Sequence, residues 1–189
     1  MQIKPVILQG SVVRLEPLNE AHVPQLAVAG KDEAIWQFMR YGQITTQPGM
    51  RRWVSELVMA QAQGTDLPFA VIHLKKQVAI GATRYLEIRK AHRALEIGGT
   101  WYALDFQRTA VNTECKYLLL RHAFEELGCL RVQFKTDVRN ERSQRALERI
   151  GAVREGVLRK HMILPDGFIR DSVYYSILDS EWQQVKARL

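Results

Sequence analysis

The hydrophobic period changes at Gly64, and that change limits the fold more than any other feature of the chain. Before it, "GMRRWVSELVMAQAQG" spaces apolar residues at three and four, placing Trp53, Leu57, Val58 and Ala62 on one side of a helix that Gly64 ends. After it, "LPFAVIHL", "QVAIGATRYLEI" and "ALEIGGTWYAL" are rich in Val, Ile, Tyr and Trp, with polar connections at Lys75-Lys76 and Arg89 to Arg93. These read as three antiparallel strands.

The flanks fill in the rest. Alternation in "SVVRLEPL" predicts a first strand, Asn19 is an N-cap for a short helix in "NEAHVPQLAVAG", and "DEAIWQFM" reads as helical. "TECKYLLLRHAFEELG" carries Leu120, Ala123, Phe124 and Leu127 on one stripe and stops at Gly128. "LRVQFKTDV" is a strand and "NERSQRALERIG" a short helix from Asn140. The segment "AVREGVLRKHMILPDGFIRDSVYYSIL" is a hairpin turning at Pro165-Asp166-Gly167, and Asp179 to Lys186 form a last helix. With 189 residues, 47% of them hydrophobic, and no linker or repeat, the expectation is one α+β domain over residues 1–189.

The charge of +7, from 27 Lys+Arg against 20 Asp+Glu, suits a polyanionic partner such as nucleic acid, an acidic membrane surface or a phosphate-bearing cofactor. Basic residues cluster at Arg51-Arg52, Lys75-Lys76 and Arg139 to Arg149, but aromatics do not interleave with them as a base-stacking platform requires, so no nucleic acid is expected. No apolar run reaches the length of a membrane span, and the chain reads as cytoplasmic. Cys115 and Cys129 lack zinc-like company and read as buried thiols. The histidines at 22, 73, 92, 122 and 161 form neither an i,i+4 pair nor a triad, so no metal site is expected.

Chemistry is best sought in "FQRTAVNTE", between the third strand of the block and the strongest helix. Helix N-termini carry amides without intrahelical partners and attract anions. Ala110 is small, Arg108 is a permanent cation, and Asn112 or Thr113 is a candidate cap. The same residues would also suit an ordinary capped helix with a solvated arginine.

The order strand, loop, helix, strand, N-x-x-S helix, hairpin resembles the GNAT superfamily of acetyl-CoA-dependent N-acetyltransferases over most of the chain. The likeness is to the branch of ribosomal-protein N-terminal acetyltransferases, whose motif R-G-T-G-x-N-T-E corresponds to Gln107-Arg108-Thr109-Ala110-Val111-Asn112-Thr113-Glu114. The resemblance implies a twisted, mixed but mostly antiparallel sheet flanked by helices, with splayed central strands forming an acyl-CoA cleft. It implies that the loop of Gln107, Arg108, Thr109, Ala110, Val111, Asn112 and Thr113 holds the CoA pyrophosphate. Trp101, Tyr102 and Ala103 would then present to the pantetheine, and Asn140 would contact the cofactor arm. The arginines of "RNERSQRALER" read first as a solvated helix face, with a reach to the 3′-phosphate through Arg142 or Arg145 as the alternative. Gly98-Gly99 would mark a bulge where the arm enters.

Two departures carry expectations. Arg108 and Ala110 stand where the branch has glycine, which implies negative φ at both and a helix beginning at about Asn112. Leu147 stands where many members carry a tyrosine acid. The resemblance points instead to Ser143, one turn earlier and facing inward with Ala146 and Ile150, as stabiliser of the leaving thiolate.

Glu96, on the opposite sheet face from Leu95 and Ile97, is the candidate base acting through water; an exposed carboxylate paired with Arg is the plain alternative. Trp36, Phe38, Arg40 and Tyr41 would shape the amine entrance. The implied activity is direct acetyl transfer from acetyl-CoA to a primary amine, a protein N-terminus or a small molecule. A CoA-sensing module without transfer chemistry is the rival. Tyr174, Tyr175 and Ile177 are expected on a sheet edge that would pair in a homodimer.

Overall fold

The computed structural model describes residues 1–189. In chain order the strands and helices are β1 (Leu8–Gln9), β2 (Val13–Pro17), α1 (Val23–Ala29), α2 (Gln47–Ala62), β3 (Leu67–His73), β4 (Val78–Arg89), β5 (Ala94–Tyr102) and α3 (Ala110–Arg121). They continue with β6 (Arg131–Asp137), α4 (Glu141–Arg149), β7 (Val153–Ile163), β8 (Ile169–Leu178) and α5 (Trp182–Lys186). The strands form one sheet in the order β1-β2-β3-β4-β5-β6-β8-β7. Every neighbouring pair is antiparallel except β5–β6, whose parallel pairing needs a crossover that α3 supplies. The expected α+β architecture is present, with β1 an additional short strand that alternation alone did not reveal.

Helices cover both faces, so the central strands read as continuous apolar runs rather than as alternation. In β3, Phe69 and Val71 join Tyr85, Leu95, Leu118, Phe134 and Tyr175 in the core under α3, whereas Ala70 and Ile72 join Trp53, Leu57 and Trp101 under α1 and α2. The buried stripe of α2 is Met50, Trp53, Val54 and Leu57; Ala62 is exposed. Asn19 caps a single 3-10 turn, Glu20–His22, that leads into α1. The helix expected in "DEAIWQFM" is only the 3-10 turn Glu33–Ile35, capped by Asp32. After it the chain turns back over the sheet, because Trp36 is drawn into the core between Gly30 and Trp101.

The functional geometry begins where β5 and β6 part. They pair only at Ala94–Arg131, Leu95–Val132 and Glu96–Gln133. Beyond Glu96, β5 stays with β4 and β6 stays with β8, leaving two facing strand edges open. A bulge helps turn β5 away: Gly98 lies opposite Arg84 and Trp101 opposite Ala82, so Gly99 and Thr100 together face Thr83. Gly99 has φ +58, and a Cβ there would lie 2.8 Å from the Tyr41 hydroxyl. Glycine is required at this position on both counts.

The dimer-edge expectation is corrected by the topology. Tyr174, Tyr175 and Ile177 lie on β8, which is paired on both sides, and the free edge is β7. Tyr175 and Ile177 are fully buried because β8, the more apolar arm of the hairpin, inserts against β6. The charged arm β7 faces outward, as edge strands commonly do.

One carboxylate fastens the N-terminal hairpin to α3. Glu114 accepts hydrogen bonds from the Ser11 amide and hydroxyl at 2.8 and 2.7 Å and from the Val12 and Val13 amides at 2.8 and 2.7 Å. Burial alone would raise its pKa, but the Ser11, Val13 and Val12 donors outweigh burial and hold it below the ordinary 4.5. The clasp is therefore complete above the unfolded carboxylate range and is lost as pH falls through the lowered folded value. Glu114→Gln is expected to cost about 1–3 kcal/mol in urea unfolding at pH 7 and to flatten the acid side of the stability curve.

Candidate active site

Strand β5 ends at Tyr102, makes a 3-10 turn at Leu104–Phe106, and enters α3 through Gln107, Arg108 and Thr109. The helix starts at Ala110, two residues earlier than expected, because Thr109 rather than Asn112 or Thr113 is the cap. Its hydroxyl accepts from the Val111 amide at 3.3 Å and donates to the Phe106 carbonyl at 2.8 Å. The expectation of negative φ at Arg108 is also wrong: Arg108 has φ +60. The chain passes from extended Gln107 to extended Thr109, and the left-handed residue between them makes the turn. For a residue with a Cβ this costs about 1–2 kcal/mol. The amides of Arg108, Thr109 and Ala110 donate to no protein acceptor. They stand at the positive end of a 12-residue helix, where an anion is favoured.

Around these amides lies an outer cleft of about 570 Å³, walled by α3 on one side and the start of α4 on the other. Four arginines border it: Arg108, Arg142, Arg145 and Arg149. Arg142 donates to the Gln107 side chain at 2.6 Å, and Gln107 in turn donates to the Tyr102 carbonyl at 3.0 Å, so the loop and α4 are braced together. Arg145 pairs with Glu141 at 3.1 Å on the exposed face of α4. Asn140 caps α4 by accepting from the Ser143 amide at 3.0 Å. Ser143 is half-buried and faces this cleft, not the interior as expected; the buried residue of α4 is Leu147, one turn on.

Phe38, Met39, Thr100 and Asn140 border both this cleft and a smaller inner chamber that reaches into the splay between β5 and β6. Glu96 lines the chamber and is only 2% exposed, so the alternative of an exposed strand carboxylate does not hold. Its partners are Gln133, donating at 3.0 Å, and Lys135 at 3.5 Å. Two arginines tie the segment Phe38 to Tyr41 down over the chamber. Arg84 donates to the Tyr41 hydroxyl at 2.6 Å while bridging Asp66 at 2.7 Å, and Arg170 donates to the Phe38 carbonyl at 3.4 Å. Burial pushes the Asp66 carboxyl up despite Arg84. At Asp137 burial acts the same way, but the Arg139 hydrogen bonds prevail and hold its carboxyl low.

Several expected residues lie elsewhere. Trp36 is buried, its ring tilted against Trp101 with centroids 4.9 Å apart and its N–H donated to the Gly30 carbonyl, and it lines neither cavity. Trp101 is held between Trp36 and Trp53 as a core aromatic that borders the outer cleft. The Val111 side chain is buried in the core, and Ala103 lines a separate hollow beside α1. Arg40 and Tyr41 do border the inner chamber, and Tyr102 donates from its hydroxyl to Asn112 at 3.3 Å.

Arg149, Asp137, Arg170 and Lys116 were not singled out from the sequence. For Lys116 a signal existed: a lysine one turn before Leu120, on a stripe of the helix that runs into its leucine-rich end. Both cysteines are free and buried, and burial pushes their thiols up to about 12 at Cys115 and about 11 at Cys129.

Comparison with known proteins agrees with this geometry. Residues 13–153 match the family described as Acetyltransferase (GNAT) domain. Over 97 residues, 51% of this chain and 52% of the relative, the sequence is 38% identical to a Bacillus subtilis (strain 168) protein described as "Putative ribosomal N-acetyltransferase YdaF". That match spans about half the length of the relative. Among solved structures, a GCN5-related N-acetyltransferase from Brucella melitensis superposes with TM-score 0.92 at 30% identity, over 98% of this chain and 84% of that one. An acetyltransferase structure from T. thermophilus gives 0.89 at 42% identity over 100% and 97%. A family match over residues 13–153 and a shared fold over nearly the whole chain place this protein in the GNAT family of acetyltransferases.

Proposed function

We propose that the protein transfers an acetyl group from acetyl-CoA directly to a primary amine. The observation that carries this reading is the continuity of three features. Free amides and arginines at the start of α3 open into the gap between β5 and β6, and the gap ends at buried Glu96.

Amides of Arg108, Thr109 and Ala110 suit a pyrophosphate, with Arg142, Arg145 and Arg149 adding charge-assisted donors. The open edge of β5 beyond Glu96 supplies backbone groups for an extended arm, as strand addition requires. Ser143 and Asn140 border that path from α4. Acetyl-CoA, when bound, supplies an activated acyl group.

The residues of the chain orient the acceptor and move its proton. Glu96, reached from the side of Phe38, Arg40 and Tyr41, takes the amine proton through water, which is the role of a general base. The enclosure built by Arg84, Arg170 and the Phe38–Tyr41 segment keeps bulk water from the reacting centre. A protein N-terminus as acceptor has one support, the likeness to the named relative over half its length.

Coenzyme A is expected to raise Tm in a thermal-shift titration. Arg142→Glu, which breaks the brace to Gln107, should weaken CoA binding about tenfold or more in calorimetry. Arg108→Gly removes the left-handed strain and should gain up to about 1 kcal/mol of stability in urea unfolding. Thiol release measured against a panel of amines tests the transfer itself. Glu96→Gln should lower kcat about 10²–10⁴-fold. CoA binding by an enzyme that acetylates no amine would leave the sensing-module reading in its place.

A further inference from the structure

Helix α3 does more than present its first amides. Asn112 borders the outer cleft, and Lys116, four residues on and therefore on the same face, borders the inner chamber. One turn of helix, about 5.4 Å, thus forms a wall running from the phosphate end to the reacting end. Where that wall meets the chamber, Lys116 is 6% exposed, and its amine donates to the Thr100 hydroxyl at 3.0 Å and faces the Phe134 ring at 5.7 Å. Thr100 is the second residue of the β5 bulge, and its hydroxyl is fixed in turn by Thr83 at 2.7 Å. Lys116 has no carboxylate partner. A buried amine held by one hydroxyl costs stability, and an apolar residue of similar length would serve packing as well or better.

Acetyl transfer forms one C–N bond and breaks one C–S bond; the amine gives up a proton and the leaving sulfur needs one. Glu96 lies on the face of β5 opposite Leu95 and Ile97, which pack under α3, and so is placed for the first proton but not the second. Leu147, the buried residue that α4 contributes to the chamber, has no proton to give. We infer that Lys116 is the group that meets the sulfur: its ammonium donates the proton that completes C–S cleavage and is restored from solvent after the thiol departs. This rests on the acyl-transfer reading.

The charged and titratable groups sharing the chamber are Arg84 of β4, Glu96 of β5, Lys135 and Asp137 of β6, Arg170 of β8, and Arg40 and Tyr41 of the covering segment. Cys115 neighbours Lys116 on its own helix. Arginines do not release protons at neutral pH, Lys135 is engaged with Glu96, and Tyr41 accepts from Arg84. Burial lowers the Lys116 pKa to about 8, which makes it an acid matched to a thiolate whose ordinary pKa is about 8.5.

The test is Lys116→Met and Lys116→Arg in the full chain. Lys116→Met should keep or raise Tm at pH 7 and keep CoA affinity, while kcat falls at least about 100-fold and the decline in kcat above about pH 8 disappears. Lys116→Arg, which keeps the charge but holds its proton, should remain equally slow. In the wild type, the Lys116 Cε resonance of isotopically labelled protein should titrate near 8 and move to higher pH on adding coenzyme A, as the thiolate forms beside it.

Unchanged kcat in Lys116→Met, full rescue by arginine, or a Lys116 titration indifferent to coenzyme A would each overturn the assignment. A wild type that acetylates no amine while Lys116 still responds to coenzyme A would instead overturn the acyl-transfer reading.

Discussion

Everything functional in this molecule depends on the parting of β5 from β6 after three paired residues. A sheet normally satisfies its backbone polar groups laterally, and a gap in its middle leaves donors and acceptors without partners. The structure holds the gap open by local means. The bulge at Gly99 and Thr100 rotates β5, Arg84 and Tyr41 crowd against the glycine, and β6 is secured on its far side by seven paired positions to β8. α3 and α4 then border the opening, so that the place where the sheet is least complete becomes the place a ligand can complete it.

Charge is arranged along the same path. The outer end is ringed by arginines with little opposing charge, which suits phosphate. Inside, cations and carboxylates alternate in short contacts: Lys135 with Glu96, Arg170 and Arg139 with Asp137, Arg84 with Asp66. Burial there makes each pair sensitive to what enters, because screening is weak away from bulk water. Lys116 is a buried cation without a carboxylate partner, bordering the inner chamber one helical turn from the outer cleft.

Much of this was legible in the sequence. The change of period at Gly64 marked the helix and the three antiparallel strands. Asn140 was readable as a cap, and paired glycines at 98 and 99 marked the bulge because glycine weakens a strand without such a reason. The edge of the C-terminal hairpin was read wrongly: Tyr174, Tyr175 and Ile177 were expected on it, but the charged strand β7 is the edge and β8 inserts against β6.

What stayed hidden depends on long-range contacts or on backbone strain. An arginine at position 108 does not itself announce a left-handed turn; the cue was the glycine that the resembling branch carries there, read in the wrong direction. The Glu114 clasp joins residues about a hundred positions apart. Trp36, expected at the amine entrance, is instead a core aromatic because the fold places Trp101 beside it.

The central claim is that the free amides at the start of α3 and the open edge of β5 together form the acyl-CoA seat. Hydrogen–deuterium exchange with and without acetyl-CoA addresses it at residue level. The account predicts new protection at Arg108, Thr109 and Ala110 and along β5 from Ile97 to Tyr102, with little change in β2 or β3. Saturated binding with those amides still exchanging freely, and protection appearing elsewhere, would contradict it.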